Sequence, residues 1–237
     1  MSPDARSRLT ALFTKRPLPG QVKTRLCPPL GPEAAAELAE AMLRDMAERC
    51  ARARAFRTAL CFAPPEDGAW FRAELPELED QRPQRGSGLG QRLASFVADA
   101  FARAEARTVV VIGSDQPLVT SARIAEAHRA LESGAGCVLG PDQGGGYYLI
   151  GLSASQPELF TDVAMSSAGM LAATKRLAEA RGLALVLLPP SLDVDTGADL
   201  ERLRAELGAR SEREAALDLE FPRRTALVLR RLFPLPT

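Results

Sequence analysis

The chain has little histidine, little lysine and no long apolar run, and each shortage removes a class of function. One histidine, His128, and four scattered cysteines, Cys27, Cys50, Cys61 and Cys137, with no C-x-x-C pair, supply no Cys/His constellation for zinc. The cysteines read as reduced structural thiols, with Cys61 and Cys137 as small core residues. No apolar run approaches the roughly 20 residues that span a bilayer, and the polar start, Met1 to Arg8, opens no signal region. The expectation is a cytoplasmic protein without a membrane span. Charge of neither sign is in excess, with Lys plus Arg and Asp plus Glu at 30 each. A nucleic-acid or anionic-membrane partner therefore gains no support from net charge.

What is present is an alternation of short apolar runs with longer amphipathic stretches, the pattern of strands and crossover helices in a mostly parallel sheet. Strands are expected at Leu9 to Thr14, Arg57 to Ala63, Thr108 to Gly113, Gly136 to Gly140, Tyr147 to Gly151 and Leu183 to Leu188. Helices are expected at Pro32 to Arg54, Gly90 to Ala106, Ser121 to Ser133, Gly169 to Ala180 and Gly197 to Leu207, several opened by Pro or Gly. Glu66 to Gln84 is Pro-rich and reads as irregular. His128 falls in a helix as a surface or packing residue. Residues 1–208 read as one α/β domain and 209–237 as a C-terminal extension. In that extension Arg223, Arg224, Arg230 and Arg231 flank an apolar stretch closed by Phe-Pro-Leu-Pro, which suits a packing or dimerising helix better than an anchor to an anionic surface.

Of the 30 Lys and Arg only three are lysine, which leaves 27 arginines, yet Lys15 and Lys23 share one loop with Arg16 and Arg25. This Pro-rich bend, Phe13 to Leu26, suits a phosphate chain. Gly20 lets a backbone approach closely, arginines fork onto oxygens, and lysines act as compact charges. A solvated basic loop has the same composition. The run Val109 to Leu118 ends in Ser114-Asp115-Gln116-Pro117, placing Asp115 at the carboxyl end of a strand, where open α/β sheets gather ligands. It can hold a divalent ion riding on phosphates, or cap the following turn. Asp193-Val-Asp-Thr196 repeats the theme before a helix. Thr196 and Asp199 form a capping box, Asp195 is free to face the crevice, and Asp193 supports the turn.

Two glycine-rich segments complete the set. Leu139 to Gly151 contains Gly144-Gly145-Gly146 and both tyrosines; one of Tyr147 and Tyr148 can stack on a base or sugar while the other packs inward. Ser87-Gly-Leu-Gly-Gln-Arg-Leu93 opens a helix whose amides, with Arg92, suit an anion or a base edge. Neither a G-x-G-x-x-G after the first strand nor a G-x-x-x-x-G-K-[ST] is present, which argues against a Rossmann dehydrogenase and a P-loop NTPase.

Taken in order, Lys15-x-Pro-x-Pro-Gly-x-Val-Lys-Thr-Arg-Leu26, Leu89-Gly-x-Arg92, Ile112-Gly-Ser-Asp-x-Pro-Leu118, Gly140-Pro with Gly145-Gly-Tyr-Tyr-Leu-Ile-Gly151, and Asp193-Val-Asp-Thr196 resemble the uncharacterised glycosyltransferase-A-like family. This belongs to the nucleotide-diphospho-sugar transferase superfamily, with the molybdenum-cofactor and 2-phospholactate guanylyltransferases as relatives. The resemblance covers about residues 8 to 207. It implies a three-layer fold around a central mixed, mostly parallel sheet, with a nucleotide-binding half and an acceptor half. It also implies a Mg²⁺- or Mn²⁺-dependent glycosyl- or nucleotidyltransferase using a nucleotide or nucleotide-sugar donor and a small-molecule acceptor. Asp115 and Asp195 would hold the metal, and Lys23, Arg25 and Asp115 would serve catalysis. Nucleotide contacts would come from Lys15, Pro19, Gly20, Lys23, Thr24, Arg25, Gly88, Leu89, Gly90, Arg92 and Ser114, and acceptor contacts from Gly145, Gly146 and Tyr147. Three positions depart from the family pattern: Gly144 where an Asp is usual, Gln116 where a Cys is common, and Met165 where a Trp is common. They leave a non-catalytic nucleotide-sensing or partner-binding protein as the alternative.

Overall fold

The computed structural model describes residues 3–210 and 212–234. Seven strands form one sheet: β1 (Arg8–Lys15), β2 (Arg57–Ala63), β3 (Gln81–Pro83), β4 (Thr108–Gly113), β5 (Cys137–Pro141), β6 (Tyr147–Leu152) and β7 (Leu185–Leu187). Their order is β3-β2-β1-β4-β6-β5-β7. Among the described residues only β6 runs against its neighbours, antiparallel to both β4 and β5, so the sheet is mixed and mostly parallel. The expected strands therefore appear, with ends shifted by a residue or two.

Helices α1 (Pro3–Arg6), α2 (Pro32–Arg52), α3 (Gly68–Glu74), α4 (Leu89–Ala102), α5 (Ser121–Glu132), α6 (Glu158–Thr161), α7 (Met170–Ala180), α8 (Gly197–Gly208), α9 (Glu212–Leu217) and α10 (Arg223–Leu232) complete the chain. The irregular reading of Glu66 to Gln84 is corrected, because α3 and β3 lie there. Phe71 on α3 is buried and stacks on Phe62 at 5.0 Å between ring centroids. This tertiary contact is what holds so short a helix, since seven residues have little helical stability alone.

The strands bury residues on both faces, as covered parallel strands must. Along β1, Leu9, Ala11 and Phe13 join one apolar cluster with Leu93, Val97 and Phe160. Leu12 points the other way, to Leu43, Met46 and Phe71. Thr10 shares the face of Leu12, and its Oγ1 lies 3.0 Å from Nε2 of His128, which is fully buried rather than on the surface. A third cluster joins Leu26, Leu38, Leu192, Val194, Leu200, Leu203, Phe221 and Leu229. It packs α8 and α10 against α2 beside the sheet.

Helix α10 begins at Pro222, which offers no side-chain cap. Buried Asp45 on α2 supplies one: its carboxylate accepts from Thr225 N at 2.9 Å, Thr225 Oγ1 at 2.8 Å and Arg224 N at 3.2 Å. A carboxylate at a helix N-terminus satisfies orphan amides and favours the dipole. Arg49 ties the same region to the turn after β4, donating to the carbonyls of Val119 at 2.9 Å and Pro117 at 3.1 Å and to that of Glu220. The final Leu-Pro-Thr of the extension lies outside the described residues.

Candidate metal and nucleotide site

Strands β1 and β4 are neighbours in the sheet, and the connections leaving them, to β2 and to β5, run toward opposite edges of it. Their carboxyl ends mark a topological switch point, where open α/β sheets hold ligands. A cleft of about 590 Å³ opens there, lined by Thr14 and Lys15 from the end of β1 and by Gly113, Ser114 and Asp115 from the end of β4. That volume is in the range of nucleotide-sized ligand sites. Ser114 Oγ lies 3.1 Å from Thr14 Oγ1 and 3.3 Å from Asp115 Oδ1, linking the two strand ends beneath the acid.

The second acidic pair arrives from the loop after β7. Leu192 and Val194 are buried in the third cluster, so alternation along this extended stretch turns Asp193 and Asp195 the opposite way. The capping box fixes the far end: Asp199 Oδ2 accepts from Thr196 N at 2.8 Å and from Asp195 N at 3.3 Å. Carboxylate oxygens of Asp115, Asp193 and Asp195 all lie within 4.8 Å of one another. Asp193, expected only to support the turn, thus stands with the other two acids. The alternation Leu192-Asp193-Val194-Asp195 was the sequence signal that could have placed it.

Lys23 stands between these acids. Its Nζ is 2.7 Å from Asp115 Oδ2 and 3.0 Å from Asp195 Oδ1, with the side chain only 5% exposed. The residue has φ 50° and ψ 34°, a left-handed conformation that costs a lysine roughly 1–2 kcal/mol. Two features hold it there: the paired ammonium on one side, and buried Leu26 anchoring the short turn Thr24–Leu26 on the other. Burial opposes the charge on Lys23, but Asp115, Asp195 and Asp193 outweigh it and raise its pKa above the ordinary lysine value. Burial also pushes Asp195 up, yet Lys23 and Arg25, which pairs with its Oδ2, hold it below the usual carboxylate range. Asp193 moves the other way, raised to about 7, chiefly by burial, against the pull of Lys23 and with Asp115, Asp195 and Asp142 adding to the rise. Three hard oxygen donors this close suit Mg²⁺ or Mn²⁺.

Of the residues expected around a nucleotide, Lys15, Lys23, Gly88, Leu89, Arg92 and Ser114 line the cleft, joined by Asp115 and Asp195. Pro17, Gln21, Val22, Gln84 and Ser87 also line it and were not foreseen. Gln84 is placed by its amide, which donates to the carbonyls of Thr14 at 3.1 Å and Cys61 at 2.7 Å. Pro19, Gly20, Thr24, Arg25 and Gly90 are not in the wall. A Cβ on Gly90 would come within 2.2 Å of the Phe160 carbonyl oxygen, so this glycine serves the packing of α4 on α6. Arg16 turns aside to Asp67 at 3.3 Å and to the face of Trp70.

The acceptor-side expectations divide in the same way. Tyr147 lines a smaller cavity of about 170 Å³ that shares Phe13, Leu89, Gly113 and Asp115 with the cleft. Tyr148 is buried, its hydroxyl donating to the Pro189 carbonyl at 3.1 Å. Gly145 and Gly146 line neither space. Gly145, at φ 86°, lies against the Ala168 carbonyl, and Gly146 donates its N–H to Asp142 Oδ1 at 2.8 Å. Asp142, two residues before Gly144, is occupied in closing that turn.

The fold has counterparts among solved structures. A protein from Desulfovibrio desulfuricans G20, provisionally named a nucleotide-diphospho-sugar transferase, is 28% identical with a TM-score of 0.82, over 95% of this chain and 97% of that one. A cytidylyltransferase from Leptospira borgpetersenii serovar Hardjo-bovis is 15% identical with a TM-score of 0.56, over 88% of this chain and 89% of its own. CMP:2-keto-3-deoxy-manno-octonic acid synthetase, solved with CTP, is 11% identical with a TM-score of 0.51, over 85% of this chain and 98% of its own. The latter two share the fold alone. No curated protein matches the sequence. Residues 46–167, more than half of the polypeptide, match one bacterial family, and the chain belongs to it: "Uncharacterized protein conserved in bacteria (DUF2064)".

Proposed function

We propose that this protein is a divalent-metal-dependent transferase that binds a nucleotide or nucleotide-sugar and passes a glycosyl or nucleotidyl group to a small acceptor. One observation carries the reading: of three carboxylates within 4.8 Å of one another, Asp115 and Asp195 line a cleft whose other walls carry Lys15, Lys23 and Arg92. Acids alone would repel a phosphate chain and cations alone would need no acids. The combination suits a polyphosphate bound together with a metal ion. The similarity to the Desulfovibrio protein, and the CTP bound by the synthetase of like fold, agree with it.

Asp115, Asp193 and Asp195 would hold Mg²⁺ or Mn²⁺, which supplies charge neutralisation on bridging phosphate oxygens. In glycosyl transfer the acceptor oxygen bonds the anomeric carbon, and the bond from that carbon to the diphosphate oxygen breaks. In nucleotidyl transfer the acceptor oxygen bonds the α-phosphorus and pyrophosphate departs. Either way the acceptor gives up a proton and a phosphate anion leaves. Lys15 and Arg92 face the space into which that anion grows, and fixed cations stabilise developing charge without reorganising. Lys23, already charged and closely held by the acids, offsets the mutual repulsion of the carboxylates and so holds them together.

The test is a thermal-shift panel of nucleotides and nucleotide-sugars, each with and without Mg²⁺ or Mn²⁺. Selected nucleotides should raise the midpoint only when metal is present. Asp115→Asn should remove the metal dependence, and Arg92→Ala should weaken diphosphates and triphosphates more than the parent nucleoside. An unchanged metal-dependent shift in Asp115→Asn would refute the site. Metal-dependent binding without turnover of any donor would favour a nucleotide sensor on the same fold.

A further inference from the structure

Asp45 and Arg49 stand one turn apart on α2 and so share a face of that helix. Among the described residues they are the only buried Asp and the only buried Arg. A charge taken out of water needs partners to offset its desolvation, and both find theirs outside α2. Asp45 caps α10, as described above. Arg49, with a side chain only 4% exposed, spreads its guanidinium over three carbonyls: Val119 at 2.9 Å, Pro117 at 3.1 Å and Glu220. Its Nε faces the Glu220 carboxylate at 3.4 Å. That carboxylate in turn accepts from Ser121 N at 2.6 Å and from Ser121 Oγ. Pro117, Val119 and Ser121 belong to the turn that joins Asp115, one of the three clustered acids, to α5. The turn is closed by Val119 N donating to the Gln116 carbonyl at 3.0 Å. Glu220 comes from the loop between α9 and α10, beyond the family match at 46–167.

We propose that Arg49 and Glu220 are positioning residues for the metal site: together they clamp the Gln116 to Ser121 turn and so hold Asp115 where it can share one divalent ion with Asp195. The role rests on the transferase reading given above and assigns the C-terminal extension a part in it. Neither residue lines the cleft, so any effect on the site passes through the backbone. Asp115 depends on that backbone. Apart from Lys23, its carboxylate meets Ser114 Oγ at 3.3 Å, and it remains 40% exposed. Strand β4 fixes the chain up to Gly113, and the clamp fixes it from Pro117 onward. Mg²⁺ demands near-ideal octahedral geometry with oxygens at about 2.0–2.1 Å, so a ligand left free to drift weakens retention. Glu220 also satisfies the orphan amide of Ser121 and places negative charge at the start of α5, while Thr120 Oγ1 takes the Arg123 amide at 3.2 Å. The position calls for arginine over lysine, because a planar fork reaches several acceptors at once.

Mn²⁺ titration of the full chain followed by electron paramagnetic resonance, with urea unfolding of the same samples, tests this. Glu220→Ala, at a side chain 29% exposed, should bind Mn²⁺ roughly threefold to tenfold more weakly. That is less than the roughly 10–100-fold lost with a partner bonded directly to a metal ligand. Arg49→Met should lose at least as much, and Arg49→Lys, which keeps the charge but not the fork, should fall between Arg49→Met and the wild type. Phe56→Leu is the control. This buried ring precedes β2 at the amino end of the sheet's parallel strands, so its loss should lower stability and leave Mn²⁺ affinity unchanged. Wild-type affinity in Glu220→Ala and Arg49→Met, or a loss no larger than in Phe56→Leu, would overturn the clamp and leave the metal site standing. Should Arg49→Met fail to fold, Glu220→Ala decides by the same criterion. A wild type that binds no Mn²⁺ would instead overturn the metal reading on which the clamp depends.

Discussion

Acid should weaken this protein through His128. The imidazole is fully buried on α5, with Nε2 3.0 Å from Thr10 Oγ1 and Nδ1 2.8 Å from Thr108 Oγ1. Burial, with a smaller contribution from the Arg8 guanidinium, pushes its pKa down to about 3. In the unfolded chain the group titrates near 6.5. Above that pH both states hold a neutral ring, and His128 adds nothing to the pH dependence. As pH falls below about 6.5 the unfolded chain takes up a proton that the folded core refuses, so stability is lost progressively until about pH 3. At about pH 5 the loss from this one group is about 2 kcal/mol. Carboxylates contribute to acid sensitivity as well, so the measurement is a difference. Urea unfolding at about pH 7 and about pH 5 is compared between the wild type and His128→Gln, which keeps a donor and an acceptor for the two threonines but cannot titrate. The wild type should lose about 2 kcal/mol more than the variant over that interval. Equal losses would show that the ring accepts its proton in place, and the reasoning from burial would fail.

Two further outcomes follow from the placement of Lys23 and Asp45. Lys23→Met leaves three acids facing one another. Because Asp115 and Asp195 remain 40% and 35% exposed, solvent moderates the cost to about 1–2 kcal/mol; added Mn²⁺ should raise the melting midpoint more in the variant than in the wild type, and an equal or smaller gain would contradict the role given to the ammonium. Asp45→Ala removes four hydrogen bonds to the start of α10 and should cost about 2–4 kcal/mol, read as an earlier urea midpoint and new protease cleavage between residues 209 and 223; an unchanged cleavage pattern would show that α10 is held by its apolar face alone.

The sequence made the sheet legible wherever strands were buried on both faces. Val109 to Ile112 and Ala59 to Ala63 are unbroken apolar runs of the kind that strands covered on both faces produce. Strand β3 was illegible for the opposite reason: Gln81-Arg82-Pro83 is a polar edge of three residues, specified by its pairing with Leu60 to Phe62 and not by its own composition. Asp115 could be placed at a strand's carboxyl end because it stands three residues past the apolar run Val109 to Ile112, whereas Asp193, read as turn support, could not. The glycines could not be sorted the same way. Gly88 opens onto the cleft whereas Gly90 sits under a carbonyl, and both have the same local sequence signal. Arg16 and Arg25 were likewise equivalent on paper; Asp67 and Trp70 take one, and Asp195 takes the other.

Because β6 runs against β4, the site draws its walls from opposite chain directions. Asp115 hangs from the exit of one strand, while Tyr147 stands at the entrance of its neighbour, just after the Asp142 to Gly146 turn. Lengthening or shortening that turn would shift the tyrosine wall and leave the acid where it is. On the proposed function, the tyrosine wall and the three acids would thus be set by separate parts of the chain, so a change in this hairpin would alter the acceptor side without displacing Asp115.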